Sequence, residues 1–121
     1  MPKIGFGTWN LDSGEKGIDV LKHAIKIGYC HFDTAMLNNS EKPVGKAVKD
    51  SIDSGATSRT DFFITTKVWP TKYDNVASAL DISLKKLETD YVDLFLLHFP
   101  IPPLDKTKKN FARLPFSNVW A

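Results

Sequence analysis

Cys30 is the only cysteine in the 121-residue chain. No internal disulfide can form, and a reducing compartment fits. No apolar run approaches the ~18 residues of a membrane-spanning helix, so no transmembrane segment is expected. The N-terminus carries one lysine and then Gly and Thr, not the apolar core of a secretory signal. A cytoplasmic location is the expectation. Charge of one sign is missing too: 16 Lys and Arg stand against 14 Asp and Glu, a net of +2. The two signs are well mixed, which argues against nucleic acid and anionic membrane as partners. The one short basic cluster, Lys106 to Lys109, reads as a solvated loop. No glycine-rich Rossmann or P-loop pattern occurs, and no metal site is expected.

What the chain does have is an apolar approach that ends abruptly in an ionisable group, three times over. Ile25, Ile27, Tyr29, Cys30 and Phe32 lead to Asp33. Phe62 to Thr66 leads to Lys67, and Val92 to Leu97 leads to His98. The spacings, 34 and 31 residues, suit a strand, a helix and two loops. Parallel strands joined by right-handed crossovers place their C-terminal ends on one face. Neighbouring strands lie ~5 Å apart. Asp33, Lys67 and His98 are therefore expected to converge within roughly 5–10 Å, where α/β folds place active sites.

The intervening stretches fill in the repeat. Ile4 to Gly7 reads as a short first strand whose glycines admit close approach of a backbone or ligand. Gly7, Thr8 and Trp9 then form a loop on the upper face. Trp9 has two readings, core packing or a ligand-facing role. Asp12 with Glu15 has the pattern of a capping box opening a helix with Ile18, Leu21, Ala24 and Ile25 inward, closed by Gly28. The second strand covers about 29–33. Ser40 or Asn39 caps a second helix, with Pro43 in its first turn, Val44, Ala47, Val48 and Ile52 inward, and Gly55 at its end. The third strand covers 62–66. A third helix starts near Asp74, with Val76, Leu80, Leu84 and Leu87 as its stripe and Ser83 among them. Residues 101–115 read as a long loop, and Ser117 or Asn118 as the N-cap of a fourth helix. Such a sheet, covered on one face and open at both edges, looks like half of an eight-stranded (β/α)8 barrel, a fold of ~250 residues.

Five linked motifs carry a resemblance. They are Gly5-Phe6-Gly7-Thr8-Trp9, Gly28 to Ala35, Glu41 to Ala47, Phe63 to Pro70 and Asp90 to Pro100. In this order and spacing the chain resembles the aldo-keto reductases over nearly all of 1–100, with 101–121 as a loop and the start of a helix. The style of 62–100 is most similar to the small-aldehyde and sugar reductases. The resemblance implies a TIM barrel that uses NADPH to reduce aldehydes and ketones, usually as a cytosolic monomer. It assigns Asp33, Lys67 and His98 to three positions of a catalytic Asp-Tyr-Lys-His tetrad. It places Gly7, Thr8, Trp9 and Asp33 at the nicotinamide end of NADPH, and Trp9, Trp69, His98 and Phe99 along the small carbonyl substrate. The chemistry agrees. The alkoxide left by hydride addition needs a proton, and a tyrosine near pKa ~10 delivers it when a cation tunes it. Lys67 would be that cation, Asp33 its holder, and His98 would orient the carbonyl.

Two departures set limits. Counting from Asp33, the family's tyrosine position is occupied by Asn38, and its next-but-one asparagine by Ser40. An amide donates a hydrogen bond but does not release a proton near neutral pH. Tyr29 sits at the wrong end of its strand to substitute, while His98, with an unperturbed pKa of ~6.5, is a weaker candidate acid. In addition, the groups that grip the carboxamide, nicotinamide and 2′-phosphate in the family belong to its C-terminal half. The expectation is an aldo-keto reductase sequence impaired as an N-terminal fragment. The alternatives are a non-catalytic interaction module, whose half barrel self-associates or pairs with a complementing half, and a truncated pseudogene product.

Overall fold

The computed structural model describes residues 1–100. The expected loop over 101–115 and the helix start at Ser117 or Asn118 lie outside the described residues. Strands β1 (Phe6–Gly7), β2 (His31–Asp33), β3 (Phe63–Val68) and β4 (Leu94–Leu97) form one parallel sheet in the order β1-β2-β3-β4. Helices α1 (Glu15–Lys26), α2 (Glu41–Asp53) and α3 (Val76–Leu87) connect them. Each strand lies beside its sequence neighbour, so the order never reverses as it does in a doubly wound sheet. This is the winding of a (β/α) barrel, present here as four strands.

Register sorts the side chains by face. Phe6, Phe32 and Ile64 are paired across β1, β2 and β3 and face the helices. They pack with Leu21, Ala24, Val44, Ala47, Val48, Phe62 and Leu87 into one core. The alternate residues His31, Asp33, Phe63 and Lys67 face the other way and are half-buried. α2 packs against both α1 and α3. Gly45 makes the second contact possible: a Cβ there would lie 2.5 Å from the Leu87 backbone. Gly28 and Gly55, at φ +102° and +76°, end α1 and α2 as expected.

Several local expectations need correction. The Asp12–Glu15 capping box does not form. Gly14 is the N-cap of α1, and Asp12 Oδ1 accepts from Gly14 N at 2.8 Å. The loop folds back so tightly that a Cβ on Gly17 would lie 1.8 Å from the Asp12 carbonyl oxygen. Ser40 stands at the N-cap of α2, yet its side chain makes no capping bond. Lys67 lies within β3, which runs on to Val68, rather than just past the strand. A 3-10 segment, Pro70–Asn75, precedes α3, and Asn75 Oδ1 caps it by accepting from Ser78 N at 3.1 Å. Val76 is exposed, because α3 turns Ala79, Ser83 and Leu87 inward. Gly5, expected in the first strand, lies just before β1, and its missing Cβ leaves room for the His31 ring. Among the described residues, no helix is long and apolar enough to cross a membrane.

Candidate active site at the C-terminal strand ends

The ends of β2 and β3 bring Asp33 and Lys67 together. Lys67 Nζ donates to Asp33 Oδ1 at 2.6 Å and to the Thr34 carbonyl at 3.0 Å. An ammonium has three N–H groups, so one direction remains beyond these two acceptors. The Asp33 side chain is 45% exposed and that of Lys67 19%, so this is a pair at a mouth rather than a sealed core bridge.

Beneath the pair runs a chain of buried hydroxyls. Thr8 Oγ1 lies 3.0 Å from the Asp33 carbonyl and 2.7 Å from Ser40 Oγ, which is itself 2.7 Å from Thr34 Oγ1. Each hydroxyl has one hydrogen, and the Asp33 carbonyl can only accept. Thr8 therefore donates to Asp33, Ser40 donates to Thr8, and Thr34 donates to Ser40. Thr8 N also donates to the Asp33 carbonyl, at 3.0 Å. Ser40, the first residue of the α2 entry, thus ties the β1 loop to the end of β2. The carbonyl of Thr34 and the carboxylate of Asp33 in turn hold Lys67.

β4 delivers His98, whose N–H donates to the Val68 carbonyl at 3.0 Å. Its ring meets Trp69 edge-on at 5.1 Å and stacks on Phe99 at 5.0 Å, while Trp69 meets Phe99 edge-on at 5.5 Å. Burial holds the His98 pKa below the ordinary value of 6.5; the Lys67 charge lowers it further and the Asp33 charge opposes. Nδ1 of His98 is buried with no hydrogen-bond partner among the described residues. Trp69, His98 and Phe99 thus form one cluster of rings, with the charges of Lys67 and Asp33 felt at His98.

Asn38 ends a 3-10 turn, Met36–Asn38, and its Oδ1 is likewise buried without a partner among the described residues. Gly7 is open, with none of the described residues within 4 Å of where a Cβ would stand. Thr8 is buried in the hydroxyl chain. Trp9 is 66% exposed, which removes the core-packing reading and places it outside the aromatic cluster.

Three features were not anticipated: the Ser40 hydroxyl chain, the buried Glu41 carboxylate and Tyr73. Glu41 Oε1 accepts from Thr66 Oγ1 at 2.8 Å, and Oε2 faces Lys86 Nζ at 3.4 Å. Tyr73 Oη donates to the Phe99 carbonyl. A cavity of about 790 Å³ lies at the other end of the strands, between α2 and α3 and beside Arg59 and Tyr91. There Arg59 bonds Thr89 Oγ1, the Phe62 and Tyr91 carbonyls and Asp93 Oδ2, each at 2.9 Å. Among the described residues, no cluster of His, Cys, Asp or Glu could hold a metal ion.

A parallel sheet wound in sequence order, with an Asp–Lys pair and a histidine at its C-terminal strand ends, defines an α/β-barrel protein of the kind that places chemistry on that face. The aldo/keto reductase family model matches residues 3–121. The chain belongs to this family. It is 45% identical over 102 residues to the NADP-dependent D-sorbitol-6-phosphate dehydrogenase of Malus domestica, covering 84% of this chain and 33% of that enzyme. It is 48% identical over 103 residues to the NAD(P)H-dependent D-xylose reductase of Candida tenuis, covering 84% of this chain and 32% of that enzyme. Its structure matches a crystal structure of a Bombyx mori aldo-keto reductase in complex with NADP at a TM-score of 0.82 and 35% identity, covering 99% of this chain and 41% of that one. The chain thus spans about a third of the length of these two curated relatives.

Proposed function

We propose that these residues form the carbonyl end of an NADPH-dependent reductase site that is impaired at proton delivery. The 2.6 Å Lys67–Asp33 contact on the open strand-end face carries this reading. The residues present fit the nicotinamide end of the cofactor. Gly7 leaves its side of the mouth open, and Asp33 and Trp9 are accessible beside the buried Thr8. When bound, NADPH supplies the hydride that adds to the carbonyl carbon. The remaining work falls to the chain. Lys67, held by Asp33 and Thr34, places a positive charge where the oxygen becomes anionic. His98, neutral over most of the range near pH 7, orients that oxygen through an N–H hydrogen bond. Trp69 and Phe99 exclude water from one side.

The proton is the weak point. Asn38 hydrogen-bonds but does not release a proton, and the lowered pKa of His98 leaves little imidazolium at neutral pH. Substrates are small aldehydes or ketones, the class that the aromatic wall can cover. The test is a titration of the 121-residue chain with NADPH, followed by tryptophan fluorescence. Saturable quenching in the micromolar range is expected, since Trp9 and Trp69 flank the mouth, and Lys67→Met should leave catalysis weaker than binding. No quenching at any NADPH concentration overturns the reading. Binding with no aldehyde-dependent oxidation, even with Asn38→Tyr, favours a non-catalytic binding module.

A further inference from the structure

We propose that Tyr73 is a positioning residue that sets the aromatic wall, holding the His98–Phe99 segment through a two-pronged hydrogen bond from its hydroxyl. This deepens the reading of the wall as the substrate side of the site, and it rests on that reading only for its catalytic consequence. The last ladder bond between β3 and β4 runs from His98 N to the Val68 carbonyl. Beyond it β3 leaves the sheet. Pro70 has no N–H, and it opens the 3-10 segment Pro70–Asn75. The ladder therefore stops one residue short of Phe99. Tyr73 continues it with a side chain: its Oη donates to the Phe99 carbonyl at 2.5 Å and accepts from Phe99 N at 3.0 Å. One phenol thus takes the place of a strand for both backbone groups of Phe99. Fixing Phe99 N and O fixes the peptide shared with His98, and with it the stacking of the two rings, inclined by 23°. The same 3-10 segment begins at Trp69, whose carbonyl accepts from Lys72 N at 2.9 Å. One short turn therefore aims Trp69 and, through Tyr73, both of the rings it meets. Burial raises the Tyr73 pKa above 10.0, so the phenol keeps its donor hydrogen across neutral pH.

The test uses the 121-residue chain and needs neither cofactor nor turnover, so it is separable from the test of the function. The His98 ring is followed by NMR against pH in the native chain and in Tyr73→Phe. The charged groups felt by His98 are Lys67 and Asp33, and both stay in place. In the native chain His98 titrates below 6.5. In Tyr73→Phe the segment loosens, water reaches the imidazole, and the midpoint moves up toward 6.5. The ring-current shift from Trp69 shrinks with it. An unchanged His98 midpoint and an unchanged Trp69 shift overturn the proposal. Should Tyr73→Phe fail to fold, the native chain carries the same test. Ionising Tyr73 at alkaline pH removes its donor hydrogen, so the His98 shift should move with that titration, and a flat His98 signal overturns the proposal. If the chain reduces aldehydes, Tyr73→Phe should raise KM roughly three- to tenfold, the loss expected for one or two modest hydrogen bonds, with a smaller change in kcat.

Discussion

Two serines, Ser40 and Ser83, are both fully buried, and alanine should act on them in opposite directions. Ser40 makes two 2.7 Å hydrogen bonds, to Thr8 and Thr34. Ser83 Oγ has no partner among the described residues. Ser→Ala removes the same volume at each site, so the cavity cost nearly cancels in the comparison. At Ser40 the loss is two hydrogen bonds at ~1 kcal/mol each, plus a stranded Thr34 hydroxyl hydrogen, together about 2–3 kcal/mol. No capping loss is added, because the Ser40 side chain caps nothing. At Ser83 alanine removes an unpaired buried hydroxyl and gains ~0.5 kcal/mol of helix propensity, for a net gain of about 0.5–1 kcal/mol. The gap between the variants is then ~3 kcal/mol, large against the ~5–15 kcal/mol of a typical domain. Urea unfolding followed by circular dichroism reads it directly. With a slope of ~1–3 kcal/mol/M, the midpoints should differ by roughly 1–3 M, Ser40→Ala being the lower. Equal midpoints, or Ser40→Ala the more stable, would refute the hydroxyl chain as a structural tie.

Gly45→Ala should cost about 2 kcal/mol or more, since its Cβ meets the Leu87 backbone rather than a movable side chain; thermal unfolding measures this. Glu41→Gln should cost only ~1 kcal/mol, because the amide oxygen still accepts from Thr66 and the Lys86 partner is part-exposed. Glu41→Ala strands the Thr66 hydroxyl and should cost about 3 kcal/mol in the same assay. Any residual turnover of the native chain should rise as pH falls below 6.5, because His98 must be protonated to act as an acid and its pKa is lowered. Stability moves the other way. The unfolded chain protonates His98 first, so its contribution is intact above 6.5 and falls as pH drops from there toward the folded pKa.

The parts of the site legible in the sequence are those written as local contrasts. An apolar strand that stops at Asp33, or at His98, declares both a strand and the ionisable group at its end. Lys67 follows the same rule, although β3 carries it inside the strand and not past it. The repeat of about 30 residues pointed to parallel strands, but a doubly wound sheet and a barrel share it, and only the pairing of neighbours sets the order β1-β2-β3-β4. What stayed hidden depends on partners distant in sequence. Ser40 before Glu41 has the same look whether its hydroxyl caps a helix or reaches across 32 residues to Thr8. Tyr73 acts on a residue 26 positions away, and a loop tyrosine gives no sign of that. Val76 fits a helical stripe by spacing, yet α2 chooses which face of α3 is covered, and Val76 falls outside it. Glycine spacing was misleading in a similar way, for Gly5 makes room for His31.

The most direct test of the central claim, a reductase site lacking its acid, is the aldehyde-dependent oxidation rate of NADPH by Asn38→Tyr beside the native chain. A tyrosine at position 38 would restore the acid of the family's tetrad beside Lys67 and His98. A gain of about 10²–10⁴-fold near neutral pH is predicted, the range that a positioned general acid contributes. Adding Lys67→Met to the same variant should abolish that gain. Equal rates for the native chain and Asn38→Tyr, with NADPH bound by both, would contradict the account.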